Sequence, residues 1–394
     1  MNTATTIQLE NALEIPTYSK MPMALVRGEG SYVWDAEGTR YLDFYGGHCV
    51  ALLGHCPPRV VEAVQQQASE LLFYSNVAHS PIRAKAAQRL ADLAPDGLGN
   101  VFFANSGSEA NETALKIARK FTGRSKIVAL EGAFHGRTLG ALANTHSKKY
   151  RKPYLEVLPD THFVPWGDHK ALKEALAPGD VAAVILEPIQ SIAGMRMMPP
   201  VCGPGLREWC DAHGTLLIFD EVQTGVGRTG TFSISDAYGI TPDLISLAKS
   251  LGAGVPVSAV LVDDAIAKTV EPGDQGSTFG GGMLAMAAVN ACLHTLVEDD
   301  LMARATEIHD RMTALMGPHV EEVRGKGCLI GLRFDRPVQP ILNSLRDHGV
   351  LAGGSADPHV MRTMPPLTAS DAEVQQFADA LGAVLKDLPE PEAA

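Results

Sequence analysis

The sequence predicts an α/β fold in which helices flank a mostly parallel β-sheet. From about residue 100, short apolar runs of strand length alternate with glycine-containing turns and helical patterns. Strands that alternate with helices predict parallel strand pairing with helices on both faces of the sheet. The chain has 394 residues, enough for one large domain and a smaller companion.

Seven apolar runs are the strand candidates: Val101–Ala104, Lys126–Leu130, Thr161–Val164, Val181–Leu186, Thr215–Phe219, Leu244–Leu247 and Ala259–Val262. Three helical patterns lie between them: Glu109–Phe121, His169–Ala177 and Pro204–His213. Ligands of such sheets bind beyond the carboxyl ends of the strands, so polar residues that follow these runs are the candidate functional groups.

The flanking segments carry weaker patterns. Residues 30–44 predict a β-hairpin that turns at Asp35-Ala36-Glu37-Gly38, after a polar lead without clear periodicity. Helical spacing recurs at Arg59–Leu72 and Pro81–Leu93, and a long helical region begins at Met283. Residues 320–387 mix short strands and helices, which predicts a small α+β lobe.

Charge and cysteine content exclude several classes of protein. With 33 basic and 45 acidic residues the net charge is −12, which argues against nucleic acid as a partner. The six cysteines form no CxxC pair, and His48-Cys49 and His55-Cys56 match no usual zinc spacing, so we expect no metal site. No secretory signal or membrane-spanning run is visible, and we therefore expect a soluble cytoplasmic protein without a membrane partner.

Three candidate strands are followed by residues suited to binding a cofactor. Ser106-Gly107-Ser108 opens a helix, where backbone amides and hydroxyls bind phosphate, although a plain helix cap fits the same residues. Phe134 could cover a flat ring and Arg137 could hold a carboxylate, or both could be ordinary packing and surface residues. Asp220 ends a buried strand, where an acid is costly unless a positive group lies opposite.

Lys249 follows the apolar run Leu244–Leu247 and precedes a glycine-rich turn. A lysine at the end of a core strand can have a lowered pKa and form a Schiff base, although an exposed lysine fits the same pattern. The loop at 225–230 matches GxGxxG but does not follow a strand directly, so we reject a dinucleotide site. A phosphate seat, an aromatic cover, a buried acid and a Schiff-base lysine together are what pyridoxal 5'-phosphate requires.

Five motifs make the sequence resemble the class III (subgroup II) aminotransferases of fold type I over nearly the whole chain. They are SGSEANE at 106–112, FHGRT at 134–138, DEVQTGVGRTG at 220–230, LAKSLGAG at 247–254 and GSTFGG at 276–281. The resemblance implies a large domain at 56–290 with a seven-stranded, mostly parallel sheet. It also implies a small α+β domain built from an N-terminal segment, 1–55, and a C-terminal segment, 291–394.

The resemblance also implies the roles of the cofactor-binding residues. Lys249 would carry the cofactor and act as the base of the proton shift, and Asp220 would pair with the pyridine nitrogen. The other implied contacts are Val222 and Phe134 on the ring faces, Gln223 on the phenolic oxygen, and Gly107 and Ser108 on the phosphate. Thr278 would reach the phosphate from the neighbouring subunit, so we expect a homodimer with shared active sites.

Four further residues are implied substrate contacts: Arg137, Arg362, Tyr18 and Ser277. Two arginines suit a dicarboxylate, because each can form a charge-assisted bidentate pair. The resemblance therefore predicts transfer of the terminal amine of N2-acetyl- or N2-succinylornithine to 2-oxoglutarate in arginine biosynthesis. The alternatives are an ornithine, 4-aminobutyrate or acyl-lysine aminotransferase, or a glutamate-semialdehyde-type aminomutase, against which the paired arginines argue.

Two positions depart from the usual family pattern. Ile192 stands where relatives carry a glutamate that masks the C-terminal arginine, so we expect Arg362 to remain unmasked, which suits a donor with an acidic or acylated distal end. His48, in Tyr45-Gly46-Gly47-His48, resembles a bacterial subset that uses N-acylated ornithines. These two positions are where we expect donor choice to be decided.

Overall fold

The computed structural model describes residues 1–199 and 202–388. Its central feature is a seven-stranded sheet. Across the sheet the order is Asn100–Ala104, Ser258–Val262, Leu244–Leu247, Leu216–Asp220, Val181–Leu186, Lys126–Leu130 and Thr161–Val164. Six strands run in one direction and Ser258–Val262 is antiparallel to both of its neighbours. The predicted mostly parallel sheet is confirmed, with each strand within two residues of its expected ends.

Both faces of this sheet are buried, which explains the continuous apolar runs in the sequence. All six residues of Val181–Leu186 are buried, and their side chains divide equally between two apolar clusters. Val184 and Leu186 belong to the larger cluster, while Ala183 and Ile185 face the helix Gly107–Thr122 on the other side. The carboxyl ends of the parallel strands are therefore held at one edge by packing on both faces.

Helices surround the sheet and extend into the C-terminal part of the chain. The longer helices are Thr3–Leu13, Pro58–Glu70, Pro81–Leu93, Gly107–Thr122, His169–Leu176, Cys202–His213, Met283–Glu298, Leu301–Met316, Gln339–Asp347 and Asp371–Asp387. Shorter helices are Leu139–Ala143, Lys148–Arg151, Ser235–Tyr238 and Asp264–Ala267, with 3-10 turns at Lys152–Tyr154, Lys249–Gly252 and Gly317–His319.

Two helical expectations need correction. The region from Met283 is two helices, because Asp300 between them has a φ of 48° and interrupts the helical hydrogen bonding. The helix Thr3–Leu13 was not predicted. None of its residues is buried, so it carries no apolar stripe for a sequence pattern to show.

The first and last parts of the chain share a sheet. Strands Leu25–Glu29, Tyr32–Asp35 and Arg40–Asp43 are antiparallel, which confirms the predicted hairpin, and Val350–Leu351 adds a parallel strand beside Arg40–Asp43. This pairing supports a small domain built from both ends of the chain, whose boundaries remain a prediction. Residues 389–394 of its C-terminal segment lie outside the described residues.

Two further small sheets complete the fold. The first joins Glu322–Lys326, Leu329–Arg333 and Val360–Thr363 in antiparallel pairs, and it holds Arg362 opposite Gly331. The second pairs Ile189–Gln190 with Arg196–Met197, directly after the strand Val181–Leu186. Both lie close to the edge of the central sheet that carries the candidate functional residues.

Candidate active site

A cavity of about 380 Å³ lies at the carboxyl ends of the central strands. It brings together seven of the eight predicted cofactor residues: Gly107, Ser108, Phe134, Asp220, Val222, Gln223 and Lys249. They come from loops after four different strands, because parallel strands deliver their ends to one edge of the sheet. The eighth, Thr278, does not line this cavity in the same chain.

Lys249 enters the cavity from the turn after Leu244–Leu247. Its backbone φ is 43°, a left-handed conformation that is strained for a residue with a Cβ. Burial lowers the pKa of its amine, while nearby Asp220 and Glu187 act in the opposite direction. A lowered pKa increases the fraction of neutral amine, which is the form that attacks a carbonyl.

Asp220 is the buried acid of the cavity and its carboxylate is fixed by three donors. Asn111 Nδ2 and His135 Nδ1 each donate to Oδ2 at 2.7 Å, and the backbone N–H of Val222 donates to Oδ1 at 3.1 Å. Only 4% of the Asp220 surface is exposed. The carboxylate is therefore oriented before any ligand enters.

Asn111 and His135 are functional residues that sequence reasoning did not single out, although both lie inside the SGSEANE and FHGRT motifs. Asn111 Nδ2 also donates to the His135 carbonyl at 2.7 Å, and Ser246 Oγ donates to Asn111 Oδ1 at 2.6 Å. The network therefore ties the helix Gly107–Thr122 to the loops after two strands. The only sign of this network in the sequence was the position of Asn111 and His135 inside these two motifs.

Glu187 is a second acid on the cavity wall. Burial, and then the negative charge of Asp220, raise its pKa well above the usual range for a glutamate. Its Oε1 accepts a hydrogen bond from the Phe134 backbone N–H at 2.9 Å, which fixes the loop that carries the aromatic ring. Sequence analysis assigned it no role.

The helix Gly107–Thr122 points its N-terminus at the cavity. Ser106 caps the helix, because its Oγ accepts a hydrogen bond from the Glu109 N–H at 3.3 Å. The interpretation of this turn as a helix cap is therefore also confirmed. A Cβ at Gly107 would lie 3.0 Å from Val222, and one at Gly136 would lie 2.2 Å from Ser108 Oγ. Glycine is needed at both places for the backbone to approach closely, as in phosphate-binding turns.

The polar groups of the cavity fit a phosphorylated pyridine ring. Gln223 is 6% exposed and its Oε1 has no hydrogen-bond partner among the described residues, so it is free to interact with a ligand. One cavity contains an acid that can pair with a ring nitrogen, an amine that can react with an aldehyde, and a helix N-terminus that can bind a phosphate. This donor set matches pyridoxal 5'-phosphate and requires no metal.

Arg362 is the predicted C-terminal arginine, and only 5% of its surface is exposed. Its Nε donates to the Gly354 carbonyl at 2.6 Å and its Nη1 to Ser191 Oγ at 3.1 Å. Among residues 1–199 and 202–388, no carboxylate forms an ion pair with it. A buried guanidinium bonded only to neutral groups has the charge needed to bind an anionic substrate.

The segment Gly46–Cys49 is a turn of left-handed helix beside Arg362. All four residues have φ between 54° and 67°, including the non-glycine residues His48 and Cys49. Each of those two costs on the order of 1–2 kcal/mol in this conformation. Asp43 stabilises the turn by accepting from the backbone N–H groups of Tyr45, Gly46 and Gly47 at 2.9–3.1 Å.

Four predicted residues are not assembled at the cavity of one chain. Tyr18 is 79% exposed, and the exposed Arg137 guanidinium lies 3.7 Å from the centre of the Tyr150 ring. Ser277 accepts from Asn105 Nδ2 at 3.1 Å, and Asn105 itself lines the cavity. Thr278 is exposed in a separate surface cleft of about 910 Å³.

Among the residues that the structure describes, no group of three or more His, Cys, Asp or Glu side chains is placed to hold a metal ion. No helix within residues 1–199 and 202–388 is both long and apolar enough to cross a membrane.

Comparison with known families identifies the arrangement. A family model described as aminotransferase class-III matches residues 15–385. The chain belongs to this family. Class III aminotransferases use pyridoxal 5'-phosphate, so the aminotransferase activity and the cofactor predicted from the sequence are both confirmed.

Individual relatives are similar to this chain over almost its full length. The acetylornithine aminotransferase of Methanopyrus kandleri is 44% identical over 386 residues, covering 95% of this chain and 98% of the relative. Among solved structures, the acetylornithine aminotransferase of Elizabethkingia anophelis is 30% identical with a TM-score of 0.86, covering 98% and 100%. An ornithine aminotransferase of Toxoplasma gondii, solved with partial occupancy of the cofactor, is 30% identical with a TM-score of 0.89, covering 98% and 95%.

Proposed function

We propose that this aminotransferase moves the terminal amino group of N2-acetyl- or N2-succinylornithine to 2-oxoglutarate, giving the semialdehyde and glutamate, as a step of arginine biosynthesis. The observation that carries the choice of donor is the relationship to proteins named acetylornithine aminotransferase, at 44% identity over 95% of the chain. The site also contains Arg362, which has no acidic partner among the described residues and is therefore suited to bind a carboxylate of the keto acid.

Eight residues would hold the cofactor: Gly107, Ser108, Phe134, Asp220, Val222, Gln223, Lys249 and, from a neighbouring subunit, Thr278. When bound, pyridoxal 5'-phosphate supplies an aldehyde that accepts the amine and a ring that withdraws electrons. The Asp220 carboxylate, fixed by Asn111 and His135, would hold a proton at the ring nitrogen. Phe134 and Val222 would cover the two ring faces.

Lys249 performs the proton transfer. Because burial lowers its pKa, the Nζ amine is available in its neutral form and can take a proton from one carbon and return it to another. The left-handed backbone at Lys249 sets the direction in which the side chain enters the cavity. The strain is maintained by the buried 3-10 turn that follows it.

The two arginines would bind the carboxylates of the substrates. Arg362 is already oriented by Gly354 and Ser191, so binding a carboxylate costs it little reorganisation. Arg137 rests on the Tyr150 ring and would rotate from there toward the substrate, with Ser277 and Tyr18 as further contacts. Ile192, next to Ser191, leaves Arg362 unmasked for donors with an acidic or acylated end.

The active form would be a homodimer in the cytoplasm. Thr278 lies outside the cavity of its own chain, so its role at the phosphate requires a second copy. Apolar side chains are exposed near it, with Phe279 packed against the partly exposed Phe73 at a ring distance of 5.1 Å. Leu72 and Val77 extend this exposed apolar surface, as an interface between subunits requires.

A panel of amino donors tests the proposal. The purified protein, loaded with pyridoxal 5'-phosphate, is incubated with 2-oxoglutarate and N-acetylornithine, N-succinylornithine, ornithine, 4-aminobutyrate or N-acetyl-lysine, and glutamate formation is measured. We expect the highest kcat/KM with an acylated ornithine. Preference for 4-aminobutyrate or free ornithine would contradict the donor assignment. In a separate assay without keto acid, turnover of glutamate semialdehyde would indicate the aminomutase.

A further inference from the structure

His48 lies close to both charged ends of the active site. Lys249, which lines the cavity, and Arg362 both act on its ring electrostatically. Two residues further along the chain, Val50 lines the cavity, and Cys49 Sγ contacts the carbonyl of Gln223 at 3.8 Å. The left-handed turn therefore places the imidazole next to the cavity, near Lys249 and Arg362, although His48 does not itself line the cavity.

The imidazole is held on one side by Tyr45. The Tyr45 hydroxyl hydrogen-bonds to His48 Nδ1, and the two rings meet edge to face with centroids 5.3 Å apart. Tyr45 is in turn packed against the backbone at Gly353, where a Cβ would lie 2.2 Å from its ring. This contact fixes the ring of Tyr45 and, through it, the ring of His48.

The charges around this pair determine which nitrogen of His48 carries the proton. Tyr45 also interacts with the Arg362 guanidinium, which donates hydrogen bonds but accepts none. The hydroxyl oxygen therefore faces the arginine and its hydrogen is directed to His48 Nδ1, the one acceptor recorded for it among the described residues. Nδ1 accepts, so in the neutral ring the hydrogen is on Nε2.

His48 is neutral under ordinary conditions. Burial, and then the positive charges of Arg362 and Lys249, lower its pKa to about 4. Its Nε2 has no protein partner within residues 1–199 and 202–388 and is not among the enclosed atoms, so it is accessible to a ligand. The structure thus provides a fixed, neutral N–H donor beside the Arg362 guanidinium.

We propose that His48 Nε2 donates a hydrogen bond to the acyl group of the amino donor and so selects N-acylated ornithines over ornithine, with Tyr45 as the residue that positions this donor. An acyl carbonyl or a succinyl carboxylate is an acceptor and matches the N–H group. The free α-ammonium of ornithine offers only donors and would meet the N–H groups of His48 and Arg362 without an acceptor. This assignment rests on the proposed function.

The test compares donor discrimination in the cofactor-loaded enzyme. For the wild type and each variant, kcat/KM is measured with N-acetylornithine, N-succinylornithine and ornithine against 2-oxoglutarate. His48→Asn preserves a residue that tolerates left-handed backbone, but its amide ends where Nδ1 lies and cannot replace Nε2. We expect the ratio of acylated to free ornithine to fall roughly tenfold, through KM, the loss expected of one neutral hydrogen bond.

Three matched variants separate recognition from structure. His48→Gln places an amide N–H near the position of Nε2 and should keep the ratio within about threefold of the wild type. Tyr45→Phe should lower the ratio by an amount between the two, because the imidazole hydrogen is no longer fixed. Cys56→Ser, on the same segment but exposed, should leave the ratio unchanged.

Binding of an unreactive analogue gives a readout independent of turnover. N-acetyl-L-norvaline keeps the acyl group but lacks the transferable amine, and calorimetry should show its affinity for the holoenzyme reduced by His48→Asn and restored by His48→Gln. An unchanged ratio in His48→Asn, or an equal fall for all donors, would overturn the role of His48. A wild type that turns over no acylated ornithine would instead overturn the proposed function.

Discussion

The residues of the active site fall into two sets, which differ in how many of their contacts one chain supplies. In the inner set, Asn111, His135, Asp220 and Lys249, every member is in or against the cavity, and the first three form a buried network. In the outer set, Tyr18, Arg137 and Thr278, each side chain is exposed. Buried polar groups must be satisfied within the fold, whereas exposed ones can wait for a substrate or a second subunit.

This difference separates chemistry from assembly. The inner set is preorganised by the sheet and its flanking helix, so its geometry should be independent of protein concentration. The outer set should act only when another chain or a substrate supplies its partner. Substitutions in the two sets therefore have different expected signatures.

The largest effect is expected from removing the lysine of the inner set. Lys249→Ala loses both the amine that holds the cofactor and the base, so glutamate formation should fall by on the order of 10³-fold or more. The near-visible absorbance of the bound cofactor, and its quenching by borohydride, should also disappear. Lys268→Ala, at an exposed position, is the control and should retain both. Normal absorbance in Lys249→Ala would contradict its assignment.

Mixing two inactive variants tests the outer set. Thr278→Asp places a negative charge at the proposed phosphate site, and Lys249→Ala removes the lysine. If Thr278 acts across the interface, dissociated and reassembled mixtures contain hybrid dimers with one intact site each. About one quarter of wild-type activity should then return, since half of the dimers are hybrids with one of two sites intact.

The outcome distinguishes two arrangements of the outer set. If Thr278 served the cavity of its own chain, both sites of every hybrid would be defective and activity would not return. Each variant refolded and reassembled alone is the control for recovery during the procedure. A concentration-dependent return of activity would also tie the outer set to association.

Glu221 extends the comparison to a buried acid outside the cavity. It follows Asp220 in the sequence but does not line the cavity. It accepts hydrogen bonds from the Ile234 N–H at 3.0 Å, from Thr224 Oγ1 at 3.2 Å and from Ser233, and no described residue forms an ion pair with it. Burial raises its pKa from 4.5 to about 7. A buried acid without a positive partner is thus a cost to folding rather than a catalytic group.

The raised pKa makes this cost depend on pH. The folded state binds the proton more tightly than the unfolded state, so stability is greatest below about pH 4.5 and is lost as pH rises through about 7. A shift of this size corresponds to about 3 kcal/mol above pH 8. Glu221→Gln should therefore flatten the decline in unfolding free energy between pH 5 and 8. Denaturant titrations that show parallel pH profiles for both proteins would contradict this explanation.

Five of the seven central strands were predictable because each is a short apolar run buried on both faces, whereas the edge strands Asn100–Ala104 and Thr161–Val164 are only partly buried. Asp220 and Lys249 were predictable because charged residues at the ends of such runs are rare. Asn111, His135 and Glu187 were not, since their value lies in contacts between segments distant in sequence. The left-handed turn at 46–49 was also beyond reach, because positive φ is uncommon for any non-glycine residue and four successive residues with positive φ have no sequence signature.

The smallest expected effect concerns Arg362, which belongs to neither set, being buried yet without an acidic partner. Ser191 Oγ accepts a hydrogen bond from it, and the neighbouring Ile192 is only partly buried, with its carbonyl accepting from the Ala356 N–H at 2.7 Å. Ile192→Glu would bring a competing carboxylate toward the guanidinium. We expect the KM for 2-oxoglutarate to rise by about two- to fivefold, roughly the value of one partly exposed ion pair.

The same substitution should change which donors are accepted. A carboxylate at 192 would neutralise Arg362 while the donor is bound, so the preference for donors with an acidic end, N-succinylornithine over ornithine, should fall with it. Ile192→Gln has nearly the same shape without the charge and is the matched control. Because only the charge differs, equal behaviour of the two variants would show that the residue at 192 acts through shape, and the unmasked arginine would no longer explain donor choice.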